Sequence, residues 1–217
     1  LSQNKRTSDC KYNVNGNEIQ QITTIKYLGV IITNKLSFEE HISHIVNSAY
    51  KTMGFIIRNT KHFHDVFSYT TLYNSLVRRK LEYACEIWNP HFKSQNNKIE
   101  SMQKKFHKYL YYKIHPVSPL VNRVSYSSML KEFNFVSLSN RRKYLEQLFL
   151  FKVLYGCINN SYFLQNIKLN ASKGNLQNRK LLVYETRKTE RYKNSPMLRL
   201  CSLYNDLSFQ NRNLDYT

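Results

Sequence analysis

Tyr27-Leu28-Gly29-Val30-Ile31-Ile32 is a short, nearly continuous apolar run rich in branched residues, the pattern of a buried strand. A turn from Thr33 to Ser37 follows, and Ser37-Phe38-Glu39-Glu40 then has the spacing of a capping box. Ser37 is placed to accept the amide N–H of Glu40, and Glu40 to reach back to the amide of Ser37. The helix this predicts, Phe38 to about Arg58, carries Ile42, Ile45, Val46, Ala49 and Met53 as one apolar stripe. Asp65 or Ser68 can cap a second helix, Val66 to Trp88, with Leu72, Tyr73, Leu76 and Val77 on its apolar face and Pro90 as its stop. Upstream, Cys10 to Ile19 alternates around Asn15-Gly16, a strong hairpin signal because both turn positions require positive φ. That hairpin and the Tyr27 strand are predicted to join in one small antiparallel sheet.

Further along, a third helix from about Asn97 to Tyr112 places Ile99, Met102, Phe106, Tyr109 and Leu110 on one side. Its other side offers Lys98, Lys104, Lys105, Lys108 and Lys113, with His107 and Tyr111 interleaved, and Glu100 to Lys104 is a favourable i,i+4 pair. His115-Pro116 through Pro119 is a break and a domain boundary. Tyr126 to Phe133 then reads as a short helix and Leu138 to Ile158 as a long one opening on Arg141-Arg142-Lys143. Cations at a helix N-terminus oppose the helix dipole, which hints at a compensating anion. Residues 165 to 194 are polar and basic, with Lys173-Gly174-Asn175 as a turn and Leu181-Leu182-Val183 as the one candidate strand. Ser195-Pro196 starts a closing helix whose stripe is Met197, Leu200, Leu203, Tyr204 and Leu207.

Charge sets the class of partner. Lys and Arg number 33 against 14 acids, a net charge of +19, more than solubility needs and the signature of a polyanionic partner. The best nucleic-acid face is the lysine side of the third helix, since lysines suit sequence-independent contact to phosphates. Arg78-Arg79-Lys80 fan around the second helix, so at least part of that cluster must face water or phosphate. No apolar run approaches the roughly 20 residues that span a bilayer, so no membrane partner is expected. The four cysteines, Cys10, Cys85, Cys157 and Cys201, are far apart, which argues against a zinc ribbon or disulfide framework. His41, His44, His62 and His64 lack a convergent third ligand and read as solvated or capping residues. The single tryptophan, Trp88, and Cys85 read as core. The chain opens on Leu1 rather than Met, which reads as a fragment or processed piece.

Tyr27-Leu28-Gly29-Val30, Leu36-Ser37-Phe38 with His41-Ile42, Leu72-Tyr73-Asn74-Ser75-Leu76-Val77, and Leu81-Glu82-Tyr83 with Trp88 and Pro90 share a further property. In order and spacing they resemble reverse transcriptases of non-LTR (LINE-type) retrotransposons, particularly the jockey-like group. Ile99 to Phe106 and Asn194-Ser195-Pro196-Met197-Leu198-Arg199 with Tyr204-Asn205 extend the resemblance over most of the chain. Asn34 departs from it, standing where the family often has an aspartate, but keeps turn-forming chemistry. The resemblance implies a mainly α fold: residues 1–36 as a β-hairpin and strand at the end of the palm, 37–115 as a helical thumb, and 116–217 as a basic helical C-terminal region. It implies RNA, DNA or an RNA–DNA hybrid as partner, together with the rest of the reverse transcriptase polypeptide, in the cytoplasm and nucleus. Charge and placement on the helices, rather than the resemblance, make Arg78, Arg79, Lys80, Lys98, Lys104, Lys105, Lys108, Lys113, Arg141, Arg142 and Lys143 the candidate backbone-binding residues. Tyr27, Leu28 and Gly29 fall near the hairpin that holds the primer end, either in that role or as a structural remnant of the palm.

Polymerisation needs carboxylates that hold two metal ions about 4 Å apart. Asp9, Asp65, Asp206 and Asp215 are the only aspartates, none adjacent to another, so this chain is expected to be non-catalytic and without a cofactor of its own. The divalent metal of such an enzyme would sit in the palm. The five glycines are scattered and form no phosphate loop. The alternative is a co-opted or relic element that acts as a helical protein-interaction module.

Overall fold

A computed structural model describes residues 12–20, 22–63, 65–116, 124–169, 181–184 and 189–214. It divides into two units, residues 1–41 and 42–217. The expectations at Cys10, His64, Pro119 and Lys173 to Asn175 lie outside the described residues, as do 170–180 and 185–188 of the basic stretch.

The first unit holds two separate antiparallel hairpins. Strands β1 (Tyr12–Val14) and β2 (Asn17–Ile19) turn through Asn15 and Gly16 at φ 51° and 84°, as the Asn-Gly pair predicts. The apolar run Tyr27 to Ile32 is not one buried strand. It is the heart of a second hairpin, β3 (Thr24–Tyr27) and β4 (Val30–Thr33), with Tyr27 opposite Val30 and Ile25 opposite Ile32. Leu28 and Gly29 turn it at φ 46° and 85°, the same doubly positive geometry, with leucine where asparagine is usual. Of the run, Val30 is buried, whereas Tyr27 and Leu28 are well exposed. The hairpins pair within themselves and do not merge into the single sheet expected. Ser37 Oγ receives the amide of Glu39 at 3.5 Å, not that of Glu40, and Thr33 Oγ1 receives the amide of Ser37. His41 is not solvated: it is buried, and its Nδ1 accepts the amide of Ile31 at 3.3 Å.

The second unit is helical. Helix α1 (Glu39–Asn59) buries Ile42, Ile45, Val46, Ala49, Met53 and Ile56, the predicted stripe extended by one turn. The expected second helix is broken into α2 (Val66–Leu72), a π-helical segment (Tyr73–Arg78), α3 (Arg79–Glu82) and α4 (Cys85–Trp88). Asp65 caps it, accepting from the amides of Phe67 and Ser68. Its buried residues, Tyr69, Tyr73, Val77, Leu81 and Cys85, recur every fourth position. On a pure α-helix such a row drifts by about 40° per step. The wider π turn winds more slowly and rotates the row back, so one face stays buried. The chain then kinks at Ala84, which sits in the left-handed region at φ 52°. Trp88 follows, buried, with its indole N–H donating to Tyr83 O at 2.8 Å.

Helix α5 (Lys93–Ile114) is the spine, burying Ile99, Met102, Phe106 and Leu110 as its periodicity requires. Two polar residues go inside with them. Gln103 takes the Tyr73 hydroxyl proton on Oε1 and donates through Nε2 to Val136 O. His107 is enclosed by the rings of Tyr73, Phe106, Tyr126, Phe133 and Phe135. Its Nδ1 lies 2.8 Å from Gln103 O, an acceptor only, so Nδ1 carries the proton of the neutral ring.

Helices α6 (Tyr126–Glu132) and α7 (Leu138–Leu154) are capped by Ser125 and Ser137. The boundary expected at residue 116 lies inside this unit, because α7 bonds back across it to α3, α4 and α5. A short helix α8 (Ser161–Gln165), strands β5 (Lys168–Leu169) and β6 (Leu182–Val183), and helices α9 (Glu190–Lys193) and α10 (Pro196–Leu214) complete it. Leu150, Val153, Phe163, Leu182, Leu200 and Cys201 form their core. The Asn205 side-chain amide acts as a strand edge for Leu182, accepting its N–H and donating to its C=O, both at 3.0 Å.

Trp88→Ala should cost about 3–5 kcal/mol in a urea denaturation curve, since the buried indole leaves a cavity that a kinked backbone cannot close. Burial lowers the His107 pKa from the ordinary 6.5 to about 4. Between these values the unfolded chain binds a proton that the folded chain refuses, so this contribution is intact above about 6.5 and is lost as the pH falls toward 4. His107→Phe should therefore flatten the pH dependence of unfolding, removing about 2 kcal/mol of the loss between pH 7 and pH 5.

Candidate nucleic-acid interface

The basic residues sort into two populations. The first lines the seam between α1 and α5. Lys98 Nζ donates to Ser43 Oγ at 2.8 Å, Tyr50 Oη meets Ser101 Oγ at 3.3 Å, and Lys113 Nζ donates to Lys61 O at 2.6 Å. These pairs climb both chains in the same direction, so the two helices run parallel. Lys105 sits over the Tyr50 ring, 4.6 Å from its centroid, and Lys113 lies 5.7 Å from that of Tyr69. Lys98, Lys105 and Lys113 recur at seven- and eight-residue intervals, which keeps them on one side of α5 at steps of about 10 Å. From the opposite flank of α1, Lys80 donates to Thr52 Oγ1 at 2.7 Å and Ser48 Oγ at 3.4 Å. Lysines from α3 and α5 thus border α1 on both sides, and Lys80, Lys98 and Lys105 are exposed. The partners holding them are hydroxyls and a ring, which position an ammonium without neutralising it. Lys104 and Lys108 are exposed one turn apart farther round α5, with Lys108 5.7 Å from the Tyr112 centroid. Arg79 is exposed too.

The second population is structural and corrects part of the expected binding set. Arg142 is fully buried, its Nε donating to Asn89 Oδ1 at 2.9 Å and its Nη2 to Asn96 Oδ1. It cannot reach a phosphate. Burial pushes its guanidinium below the ordinary arginine range, with Glu100, Cys85 and Glu146 pulling the other way. Arg141 grips Glu82 with two nitrogens, Nη2 to Oε2 at 3.2 Å, and Arg78 approaches the same carboxylate at 3.8 Å. Both arginines are half-buried and spend their charge on that acid. Lys143 alone of the Arg141-Arg142-Lys143 triplet is exposed.

Glu100 is not spent on Lys104. Its carboxylate accepts the Tyr126 hydroxyl at 2.6 Å and the amides of Leu138 and Ser139, each at 3.2 Å. This is the anion that the basic start of α7 called for. Glu146, the only acid within α7, is buried and bonded to Arg199 at 2.6 Å. Arg199 also donates to the carbonyls of Glu86, Asn89 and Asn194. Burial raises the Glu146 carboxyl above its usual range while Arg199 draws it down. Sequence reasoning missed Tyr50, Ser43, Ser48 and Thr52 as lysine partners. The signal lay in hydroxyl and aromatic residues recurring on the polar side of α1. The primer-end expectation falls on the exposed β3–β4 turn.

Among the described residues no group of three His, Cys, Asp or Glu side chains converges as a metal site. None of the described helices is long and apolar enough to cross a membrane. A cleft of about 670 Å³ opens between α4, α7, α8 and α10, lined by Ile87, Phe149, Tyr162, Tyr184, Tyr192 and Met197 among others.

The chain is similar to an uncharacterized protein of Caenorhabditis elegans, 30% identical over 115 residues, which is 53% of this chain and 55% of that protein. The chain thus spans about half the length of that relative. No family profile matches the chain, and no solved structure matches it.

Arg142→Ala should lower stability by about 3 kcal/mol, because it strands the two asparagines around an emptied site. A urea denaturation curve of this variant checks that structural role.

Proposed function

We propose that this chain is a non-catalytic, nucleic-acid-binding part of a non-LTR retrotransposon reverse transcriptase, corresponding to its thumb and the region after it. Its task is to hold the backbone of an RNA–DNA hybrid or structured RNA while a palm elsewhere in the polypeptide carries the metal ions and the chemistry. The family assignment rests on the motif order from Tyr27 to Arg199. The binding assignment rests on one observation above all: exposed lysines from two helices border α1, oriented by hydroxyl and ring partners. A surface of this kind neutralises phosphates without reading bases, which suits a protein that must accept any template. The net charge of +19 supports the same partner class, as does the spacing of Lys98, Lys105 and Lys113 along one seam. Such an assignment places the protein in the cytoplasm and nucleus.

Binding of the purified chain to an RNA–DNA hybrid at several salt concentrations tests the reading. Neutralising about 6 phosphates gives a slope of log affinity against log salt near −5. Changing Lys80, Lys98 and Lys105 together to Ala should make that slope shallower by about 2.7 and weaken binding at low salt. A slope near zero in the wild type, or a triple variant that binds as the wild type does, would remove the proposal.

A further inference from the structure

Helix α7 breaks the usual rule for a surface helix, which is apolar toward the core and polar toward water. Its inner face buries Leu138, Leu150 and Val153. Its outer face nevertheless carries Tyr144, Phe151 and, at the C-cap, Tyr155, exposed by 60%, 48% and 70%. At 100° per residue these three fall within about 40° of one another, so they form one stripe. Phe151 and Tyr155 stack with centroids 4.1 Å apart and planes 25° from parallel, so each covers one face of the other and leaves its second face free of that contact. Tyr144 lies two turns earlier, about 10 Å along the axis. Lys143 and Lys152, both exposed, flank the stripe on opposite sides, each roughly 80–100° around the helix from it. The only acid of α7, Glu146, points inward to Arg199, so the outer face of this helix carries positive charge alone.

We propose that this face is a stacking platform for unpaired nucleobases, with Tyr144, Phe151 and Tyr155 receiving the bases of a single-stranded RNA or DNA segment and Lys143 and Lys152 its phosphates. Charge complementarity selects this occupant: ring faces between two cations match a ligand that alternates flat bases with anions. Stacking also asks nothing of base identity, since every base has a π face. The inference rests on the preceding reading only in taking the polyanion to be nucleic acid. It uses none of the residues along α1 and α5, and it assigns single strands to α7 while the lysine seam takes duplex.

The test compares two labelled 12-nucleotide strands of equal charge, one of mixed, unstructured sequence and one with abasic spacers in place of the bases. The full chain should bind the base-bearing strand about 10- to 100-fold more tightly than the abasic one. Phe151→Leu with Tyr155→Leu keeps the apolar area but removes two of the three rings, and should reduce that preference by at least about 5-fold. Because both positions are exposed, the urea midpoint of this variant should stay close to wild type. Equal binding of the two strands by the wild type overturns the proposal, as does a preference that the double substitution leaves undiminished. A dimer seen by light scattering and abolished by Tyr144→Lys with Phe151→Lys would assign the stripe to a second copy of the chain instead. The two readings fail separately. A base preference in a chain whose hybrid binding ignores Lys80, Lys98 and Lys105 leaves the platform standing without the seam. Salt-steep hybrid binding with no base preference leaves the seam without the platform.

Discussion

The carboxylate of Glu100 ties three helices of the second unit together. It sits on α5, receives the hydroxyl of Tyr126 from α6, and receives the first two amides of α7. A helix N-terminus leaves its first amides unpaired and carries partial positive charge, so a buried start needs an acceptor that water cannot supply. Ser137 satisfies one amide and Glu100 satisfies two more. With that end anchored, the first turns of α7 are held against α3 and α4. There Arg141 meets Glu82, Arg142 meets Asn89 and Asn96, and Glu146 reaches the Arg199 of α10. Each contact joins segments roughly 50 residues apart in sequence, so α7 links the helices before and after it. The exposure of its outer aromatic stripe is a consequence of that anchorage, because rotating the helix would unseat the arginines.

Where the hydrophobic period was regular, the sequence was legible. The apolar faces of α1 and α5 follow from three- and four-residue spacing, and Trp88 and Cys85 are core as expected. The Asn15-Gly16 hairpin follows from the φ requirement of its turn. The misreadings share a cause: an apolar residue doing backbone work, or a charged residue doing interior work. Leu28 looks like the middle of a buried strand because leucine is seldom chosen for positive φ; only the glycine after it signals the turn. The row from Tyr69 to Cys85 looks like a continuous helix because a four-residue repeat does not reveal that a π segment must correct its drift. His107 looked like part of a polar face, yet it lies at 0% exposure within five rings, its Nδ1 proton taken by Gln103 O. Among the candidate binding residues, the lysines of α5 were legible from their spacing. Their division into a seam beside α1 and an outer pair was not, since it depends on which helix lies alongside.

Arginine and lysine divide the basic charge of the second unit by chemistry, and a count of charges conceals this. The forked guanidinium can satisfy several acceptors at once and is weakly hydrated, so it tolerates burial. Arg142 and Arg199 use this capacity among asparagine oxygens, carbonyls and a buried carboxylate, and Arg141 grips Glu82 with two nitrogens. The lysine ammonium is compact and strongly hydrated, which makes burial costly and a position over a hydroxyl or ring favourable. Lys80, Lys98 and Lys105 occupy such positions and stay exposed. The net charge of +19 therefore overstates the charge that reaches solvent where Arg78, Arg141, Arg142 and Arg199 contribute and describes it fairly at Lys80, Lys98 and Lys105. Lys80, Lys98 and Lys105 reach solvent, while Arg141, Arg142 and Arg199 beneath hold together the helices that present them. Exchanging the two residue types would spoil both tasks: lysine at position 142 would bury a strongly hydrated ammonium, and arginine at position 105 would bring a fork able to recruit a neighbouring acid. Exposed face and scaffold both draw on positive charge, and hydration decides which of these residues serves which.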